Sequence, residues 1–389
     1  MAKLIGNAPN QVPTNADLGS MAFEDKKNYA TTSSPIYQPY RNIIINGDMS
    51  IAQRGTSFTG LTNGASGYTI DRWKYDETGS TSSVFTLTQD SDVPSGQGFA
   101  KSLKMDCTTA AASPASGDIV WLMQRVEAQN LQYLKFGTAN AESLTLSFWV
   151  KSNKTGTYAL NIYQDDTAYS RALNYTISSA NTWEKKTITF AGNTTNAPNN
   201  DNGIGFWVNF TLIAGTTYTS TEDTNWHSYV NAKRAYGHNV NLADSTSNEW
   251  YITGVQLEAG TTASDFEFLP IDVNLTRCER YFEKSYNLNE APGSVTDAGQ
   301  RRDQGVSDSS SNQVMTRNWK TRKRANPTQT FYDNATSGQV SYARNGASGS
   351  AVVQLWGKNG ENGMGAYNSI GAAWTPCFIQ YHYTADAEL

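Results

Sequence analysis

Five residues at alternating positions of predicted strands have the chemistry of a sugar-binding surface. Trp149, Tyr163 and Trp207 are flat aromatic side chains, and Asn161 and Asn209 carry amides that donate and accept hydrogen bonds. A sugar presents an apolar face of C–H groups ringed by hydroxyls, so its site needs a flat aromatic beside a few fixed polar groups. We predict these five residues as candidate glycan contacts if their strands are neighbours. In the alternative interpretation, loops or a neighbouring protomer cover this face and the aromatics pack in an interface.

Apolar residues that alternate with polar ones at a period of two predict the strands that position these residues. Side chains of a strand alternate between faces, which separates one face from the one that carries Trp207 and Asn209. The predicted core residues of this strand are Ile204, Phe206, Val208, Phe210 and Leu212. The same alternation gives core residues in two further segments, which are Leu144, Leu146, Phe148, Val150, Tyr158, Leu160 and Ile162. We predict that all of them share one core. The segment 183–190 has the lysines of an edge or solvent-facing strand, and Gly254 predicts a β-bulge.

Composition supports an all-β chain. Only 17% of the 389 residues are charged, and the chain has 31 Gly, 21 Tyr and 10 Trp. A net charge of −5 gives no electrostatic reason to bind nucleic acid, and no apolar run is long enough for membrane insertion. The three cysteines, Cys107, Cys278 and Cys377, are too far apart in sequence to indicate a zinc ribbon.

The pattern divides the chain into four parts. Residues 1–40 are proline-rich and polar, and we predict an anchor and linker whose apolar residues contact a partner, namely Leu4, Ile5, Leu18, Met21 and Phe23. Residues 41–270 predict a jelly-roll β-sandwich, and 271–286 a short connecting helix, centred on 272–285, that Asp272 could cap. Residues 287–389 predict a smaller C-terminal β-sandwich, preceded by a loop-like stretch and with His382 facing outward.

Three stretches carry a family resemblance: NIIINGDMSIAQRGTSF at 42–58, GYTIDRW at 67–73, and NEWYITGVQLEAG at 248–260 followed by CERYF at 278–282. In this order they resemble the carbohydrate-binding-module-like jelly rolls in fibre proteins of tailed phages, especially marine ones. The N-terminal PNQVPTNADLG and the C-terminal YTADAEL resemble segments of the same fibres. Trp73 and Trp250 occupy recurrent motif positions, and we assign both to packing.

The resemblance implies a tail fibre or spike of the virion, commonly a homotrimer. Its N-terminus would attach to other phage tail or adaptor proteins, and its C-terminus would face the host, where it would bind surface polysaccharide or lipopolysaccharide. Modules of this general fold often hold a structural calcium ion, for which Asp48 and Glu258 are the candidates here. No other cofactor is expected.

Two other functions stay open, a polysaccharide depolymerase and a purely structural appendage. A depolymerase would need two carboxyl groups at a fixed distance, but the adjacent Asp165 and Asp166 would point to opposite faces if they lay in a strand. We therefore expect no enzyme. A basic run follows at Arg317, Lys320, Arg322, Lys323 and Arg324. We interpret it as a solvated face or intersubunit contact, or as a contact to anionic groups of lipopolysaccharide.

Overall fold

The computed structural model describes residues 40–305, 312–333, 339–344, 347–355, 359–369 and 377–389. By its internal contacts the chain divides into Met1–Arg41 and Asn42–Leu389. The predicted anchor residues Leu4, Ile5, Leu18, Met21 and Phe23 lie outside the described residues.

The first part of the unit Asn42–Leu389 is a sandwich of two antiparallel sheets. In chain order its strands are β1 (Ser57–Leu61), β2 (Gly67–Tyr68), β3 (Lys74–Thr78), β4 (Val84–Asp90), β5 (Ser102–Thr109), β6 (Ile119–Glu127), β7 (Leu144–Ser152), β8 (Gly156–Gln164), β9 (Tyr169–Ile177), β10 (Glu184–Phe190), β11 (Ile204–Ala214), β12 (His227–Ser228) and β13 (Glu249–Ala259). The six-stranded sheet has the order β1-β4-β5-β13-β7-β10, and the seven-stranded sheet the order β12-β9-β8-β11-β6-β3-β2. The predicted β-sandwich is confirmed.

Short helical segments interrupt the strands. They are the 3-10 helices Ala128–Leu134 and Asn231–Lys233 and the α-helices Thr216–Thr219 and Ile271–Glu279. None of the helices in the described ranges is both long and apolar enough to cross a bilayer.

The sandwich core includes the residues that alternation predicted, except that Ile204 at the start of β11 is only partly buried. Phe206, Val208 and Phe210 are fully buried between the sheets, as are the predicted core residues of β7 and β8. Trp73 and Trp250 are also fully buried and flank Phe210, with ring centroids 6.2 Å from it in both cases, so their assignment to packing is confirmed. Core packing therefore accounts for both tryptophans without a ligand.

The edge and bulge predictions are also confirmed. β10 is the terminal strand of the six-stranded sheet. The pairing of β13 with β7 shifts register between Thr253 and Gln256, and Gly254 there has a φ of +62°. A left-handed backbone of this kind favours glycine, because a side chain would clash.

The helix prediction needs a correction. The helix runs only from Ile271 to Glu279, with Pro270 at its N-cap, and Asp272 lies in the first turn without capping it. Phe282–Lys284 instead forms strand β14, which pairs with the last strand of the chain. Long-range pairing thus overrides the helical periodicity of 280–285.

The C-terminal part forms smaller antiparallel sheets. After β14 its strands are β15 (Arg301–Gly305), β16 (Asn312–Asn318), β17 (Thr328–Tyr332), β18 (Gln339–Arg344), β19 (Ala347–Leu355), β20 (Gly363–Ser369) and β21 (Cys377–Asp386). Strand β21 pairs with β14, β15, β17 and β18, so it joins four of the other strands of this part. The prediction of a loop before residue 312 is wrong at β15, which forms a strand and pairs with β21. The two strands are about 75 residues apart in sequence, so no local pattern reveals their pairing.

Candidate functional site

The structure separates the five predicted glycan contacts into two groups. Trp149 lies on β7 of the six-stranded sheet, whereas Tyr163 and Asn161 lie on β8 and Trp207 and Asn209 on β11 of the seven-stranded sheet. Strands β8 and β11 are neighbours, and Trp207 is directly opposite Tyr163. Because all five residues point away from the shared core, the two groups lie on opposite outer faces of the sandwich. The expected single platform is therefore corrected to two separate surfaces.

The surface on the seven-stranded sheet is largely covered. Asn161 and Asn209 are fully buried, and the Asn209 amide donates a hydrogen bond of 3.3 Å to the Asn161 side chain. Tyr218 and Ala235, from the segment after β11, pack on this face. A ligand could contact the two asparagines only if that segment moved. The covered face agrees with the alternative interpretation, in which loops cover these residues.

The aromatics Trp207 and Tyr163 on this face are half-buried. Trp207 lies between Tyr163, whose ring centroid is 5.4 Å away, and the Arg125 guanidinium, 4.4 Å from its ring. Tyr163 also contacts Tyr229, at 5.2 Å. One side of the Trp207 ring is thus taken by a cation–π contact, which leaves less ring surface for a ligand.

Trp149 lines a groove on the outer face of the six-stranded sheet, with a cavity volume of about 270 Å³. We call this the Trp149 groove. Its lining residues are Gly96, Gln97, Phe99, Ser147, Trp149, Lys185, Gly254, Asp265, Phe266 and Phe268. Ser147 and Trp149 come from β7 and Gly254 from β13, and these strands form the floor.

Three phenylalanines form one wall of the Trp149 groove. The ring centroids of Phe99, Phe266 and Phe268 are 4.9 to 5.1 Å apart, and Phe268 remains 50% exposed. Phe99 packs over Gly254, where an added Cβ would lie 2.5 Å from the Phe99 ring. The glycine at the bulge therefore has a second role, since it admits the aromatic wall.

Our sequence reasoning missed all three phenylalanines. The segment Asp265–Phe268 alternates polar and aromatic residues, which is a usable signal that Phe266 and Phe268 share a face. Phe99 lies in the connection between β4 and β5, far away in sequence, and no local pattern links it to the other two.

Charged groups on this outer face are unevenly paired. Lys151 forms an ion pair with Asp92, and Lys104 one with Glu249 at 2.7 Å. Burial opposes ionisation of Asp92, but hydrogen bonds from Lys151 and Trp183 outweigh it and lower the pKa of this carboxyl group. Lys185, which lines the Trp149 groove, forms no ion pair in the part of the chain that the structure describes.

The two calcium candidates already have protein partners. The Asp48 carboxylate accepts hydrogen bonds from the Ser50 hydroxyl and the Asn274 amide, and burial raises its pKa. The Glu258 carboxylate accepts from the backbone and hydroxyl of Ser264, at 2.9 and 2.7 Å. Within the described ranges, no three His, Cys, Asp or Glu side chains cluster as metal ligands would.

The basic run is only partly a solvated face, since Lys320 and Arg322 are exposed whereas Lys323 is buried. Lys323 is fully buried and pairs with Glu283 at 2.6 Å, while Lys320 pairs with Glu279 at 2.8 Å. Arg317 pairs with Asp303, Arg322 with Glu361, and Arg324 donates to the backbone carbonyls of Asn202, Ala387 and Glu388. Contacts within the chain therefore engage all five cations, and the expectation of a solvated face is wrong at the buried Lys323.

His382 is likewise corrected from outward-facing to buried. Its ring stacks on Tyr286 with centroids 3.7 Å apart, and its nitrogens lie 3.0 Å from the Ser285 hydroxyl and 2.8 Å from the Thr296 carbonyl. Burial lowers the pKa of His382. The residue therefore belongs to the packing around β21.

Comparison with known proteins gives matches among solved structures. No protein-family model matches the chain, and no curated protein matches it. The enzymatically active domain of tailspike protein 4 from bacteriophage CBA120 is similar at 18% identity and a TM-score of 0.31, over 57% of this chain and 22% of that chain.

Carbohydrate-binding modules are also similar. The family 11 module of a cellulosomal cellulase from Clostridium thermocellum matches at 9% identity and a TM-score of 0.26, over 52% of this chain and 95% of the module. TmCBM61, solved with β-1,4-galactotriose, matches at 10% identity and a TM-score of 0.24, over 56% of this chain and 99% of that chain. All these similarities are distant, and the ligands and activities named are those of the other proteins.

Proposed function

We propose that this chain is a tail fibre or spike protein of a phage that binds a host surface glycan non-covalently in the Trp149 groove. The observation that carries the proposal is the combination of the half-buried Trp149 and the three-phenylalanine wall with the polar groups of Ser147 and Lys185. An aromatic surface beside a few polar groups suits a sugar ring, which has both apolar faces and hydroxyls.

The site in this proposal is shallow and small. Its volume of about 270 Å³ lies just below the range of about 300 to 1,000 Å³ usual for small-molecule sites. A site of this size engages one or two sugar rings, and single-site affinity is then modest. Several copies on one fibre, as in the proposed homotrimer, would convert modest affinity into avid attachment.

The assignment to a virion is supported by the sequence motifs at 42–58, 67–73 and 248–260. In this proposal residues 1–40 join the fibre to other tail or adaptor proteins. Deleting them should preserve the β-sheet circular dichroism of the protein but abolish its incorporation into particles. If the deletion variant were still incorporated into particles, the predicted anchor function would be wrong. If the variant lost its whole fold, residues 1–40 would be part of the folded core.

The test of glycan binding uses purified surface polysaccharide from a susceptible host, with binding and product size measured together. Trp149→Ala should weaken binding at least about tenfold, as removal of a central aromatic contact does. Trp207→Ala is the matched control, because this tryptophan is also half-buried but lies on the other face. Equal loss in both variants, or loss in the control alone, would contradict the Trp149 groove as the site.

The same experiment separates the other functions. Binding with unchanged polysaccharide length supports an adhesin. Shortened polysaccharide would establish a depolymerase in place of a simple adhesin. No binding by the wild-type protein would favour a structural appendage.

A further inference from the structure

The charge pattern around the Trp149 groove indicates what kind of glycan it takes. Lys185 on β10 is directly opposite Trp149 on β7 in the antiparallel pairing, and both residues line the groove. Directly opposed residues have Cβ atoms about 5 Å apart, so the lysine ammonium can reach a substituent on a ring stacked against Trp149.

The other two lysines on this face are neutralised within the chain. Lys151 lies two residues after Trp149 on the same side of β7 and pairs with Asp92. Lys104 lies on β5, pairs with Glu249 at 2.7 Å and has Asp106 at 3.5 Å. Lys151 and Lys104 thus each have an acidic partner within the chain.

Lys185 differs from both. It is exposed, and the described residues provide no carboxylate in ion-pair contact with it. The one acidic residue that lines the groove, Asp265, belongs to the segment that carries the phenylalanine wall. In general a carboxylate oxygen accepts hydrogen bonds from hydroxyl groups, whereas a lysine ammonium donates hydrogen bonds to an anion.

From this pairing of an aromatic ring with an unneutralised cation, we propose that the groove binds an acidic sugar, with its ring on Trp149 and its carboxylate at Lys185. The inference rests on the proposed glycan-binding function and names its ligand class. Sulfate and phosphate esters on a sugar are also negatively charged and could bind the Lys185 ammonium. The experiment therefore compares carboxylate, sulfate and phosphate groups. A single exposed lysine gives selectivity, while the aromatic residues give most of the affinity.

The experiment is a glycan array with neutral glycans and with carboxylated, sulfated and phosphorylated counterparts, followed by calorimetry on the strongest ligand and its neutral counterpart. The wild-type protein should prefer carboxylated glycans, and Lys185→Met should weaken their binding between about threefold and tenfold. Neutral glycans should bind equally to the wild type and to this variant. Lys135→Met controls for the loss of an exposed lysine charge, because Lys135 lies outside the groove after the first 3-10 helix, where it pairs with Glu142 at 2.8 Å.

The outcomes are distinct. Hits confined to neutral glycans, or an unchanged acidic preference in Lys185→Met, would overturn the acidic-sugar inference and leave glycan binding intact. A preference for sulfated or phosphorylated glycans that depends on Lys185 would overturn the claim that the anionic group is a carboxylate. It would still support the claim that Lys185 binds the anionic group. Binding to no glycan on the array or on the host polysaccharide would refute the proposed function itself.

Discussion

The buried ion pair between Lys323 and Glu283 gives the sharpest test of how the C-terminal sheets are held. Both side chains are fully buried, and their charged atoms are 2.6 Å apart. The Glu283 carboxylate also accepts hydrogen bonds from the Tyr383 hydroxyl and the Lys320 backbone amide, both at 2.9 Å. Glu283 lies on β14, just after the helix, so the pair connects this strand to the segment between β16 and β17.

Lys323→Met should destabilise the fold strongly. The variant removes the cation and leaves the Glu283 carboxylate buried with only two neutral donors, and breaking a buried pair in this way costs about 3 to 5 kcal/mol. Replacing both partners by apolar residues, as in Lys323→Met with Glu283→Leu, should restore much of the loss, because no uncompensated charge remains buried. Burial also lowers the pKa of Lys323, as expected for a cation removed from water.

The assay is urea unfolding followed by tryptophan fluorescence. Trp319 reports locally, since the Lys323 ammonium lies 6.0 Å from its ring and the indole is 6% exposed. Arg322→Met is the control, because its pair with Glu361 is solvent-exposed and should contribute no more than about 1 kcal/mol. A loss below about 1 kcal/mol for Lys323→Met, or an equal loss in the control, would refute the reasoning.

Three further predictions concern the sandwich. Burial lowers the pKa of His238 to about 4, below the unfolded value near 6.5, so unfolding takes up a proton in that interval. Stability should therefore fall on acidification from about pH 6.5 to 4, by up to about 1.4 kcal/mol per pH unit, and His238→Gln should flatten this slope in denaturation at several pH values. Gly254→Ala should cost about 1 to 3 kcal/mol in urea unfolding, because it strains a positive-φ residue and displaces Phe99; an unchanged midpoint would contradict this. Phe210→Ala should cost about 3 to 5 kcal/mol, since its ring contacts Phe148 and both core tryptophans, and a value near 1 kcal/mol would contradict the packing described.

In β7, β8 and β11 the sequence by itself determined most of the residues that face the core. Phe206, Val208 and Phe210 are buried and Trp207 is not, because a strand fixes side-chain direction with a period of two whatever its neighbours are. The edge position of β10 and the bulge at Gly254 were predictable for a similar local reason, since lysines and a strand glycine act on their own strand.

Only the tertiary structure decided which strands are neighbours. Trp149 and Trp207 have the same local pattern, yet they lie on opposite faces of the sandwich because β7 pairs with β13 and β10 whereas β11 pairs with β6 and β8. Strand order depends on contacts between distant segments, and no window of sequence contains both partners. The same reason accounts for the assembly of Phe99 with Phe266 and Phe268, and for the burial of His382 on β21. Local chemistry thus named the kinds of side chain a binding site would need, and long-range pairing determined which of them meet.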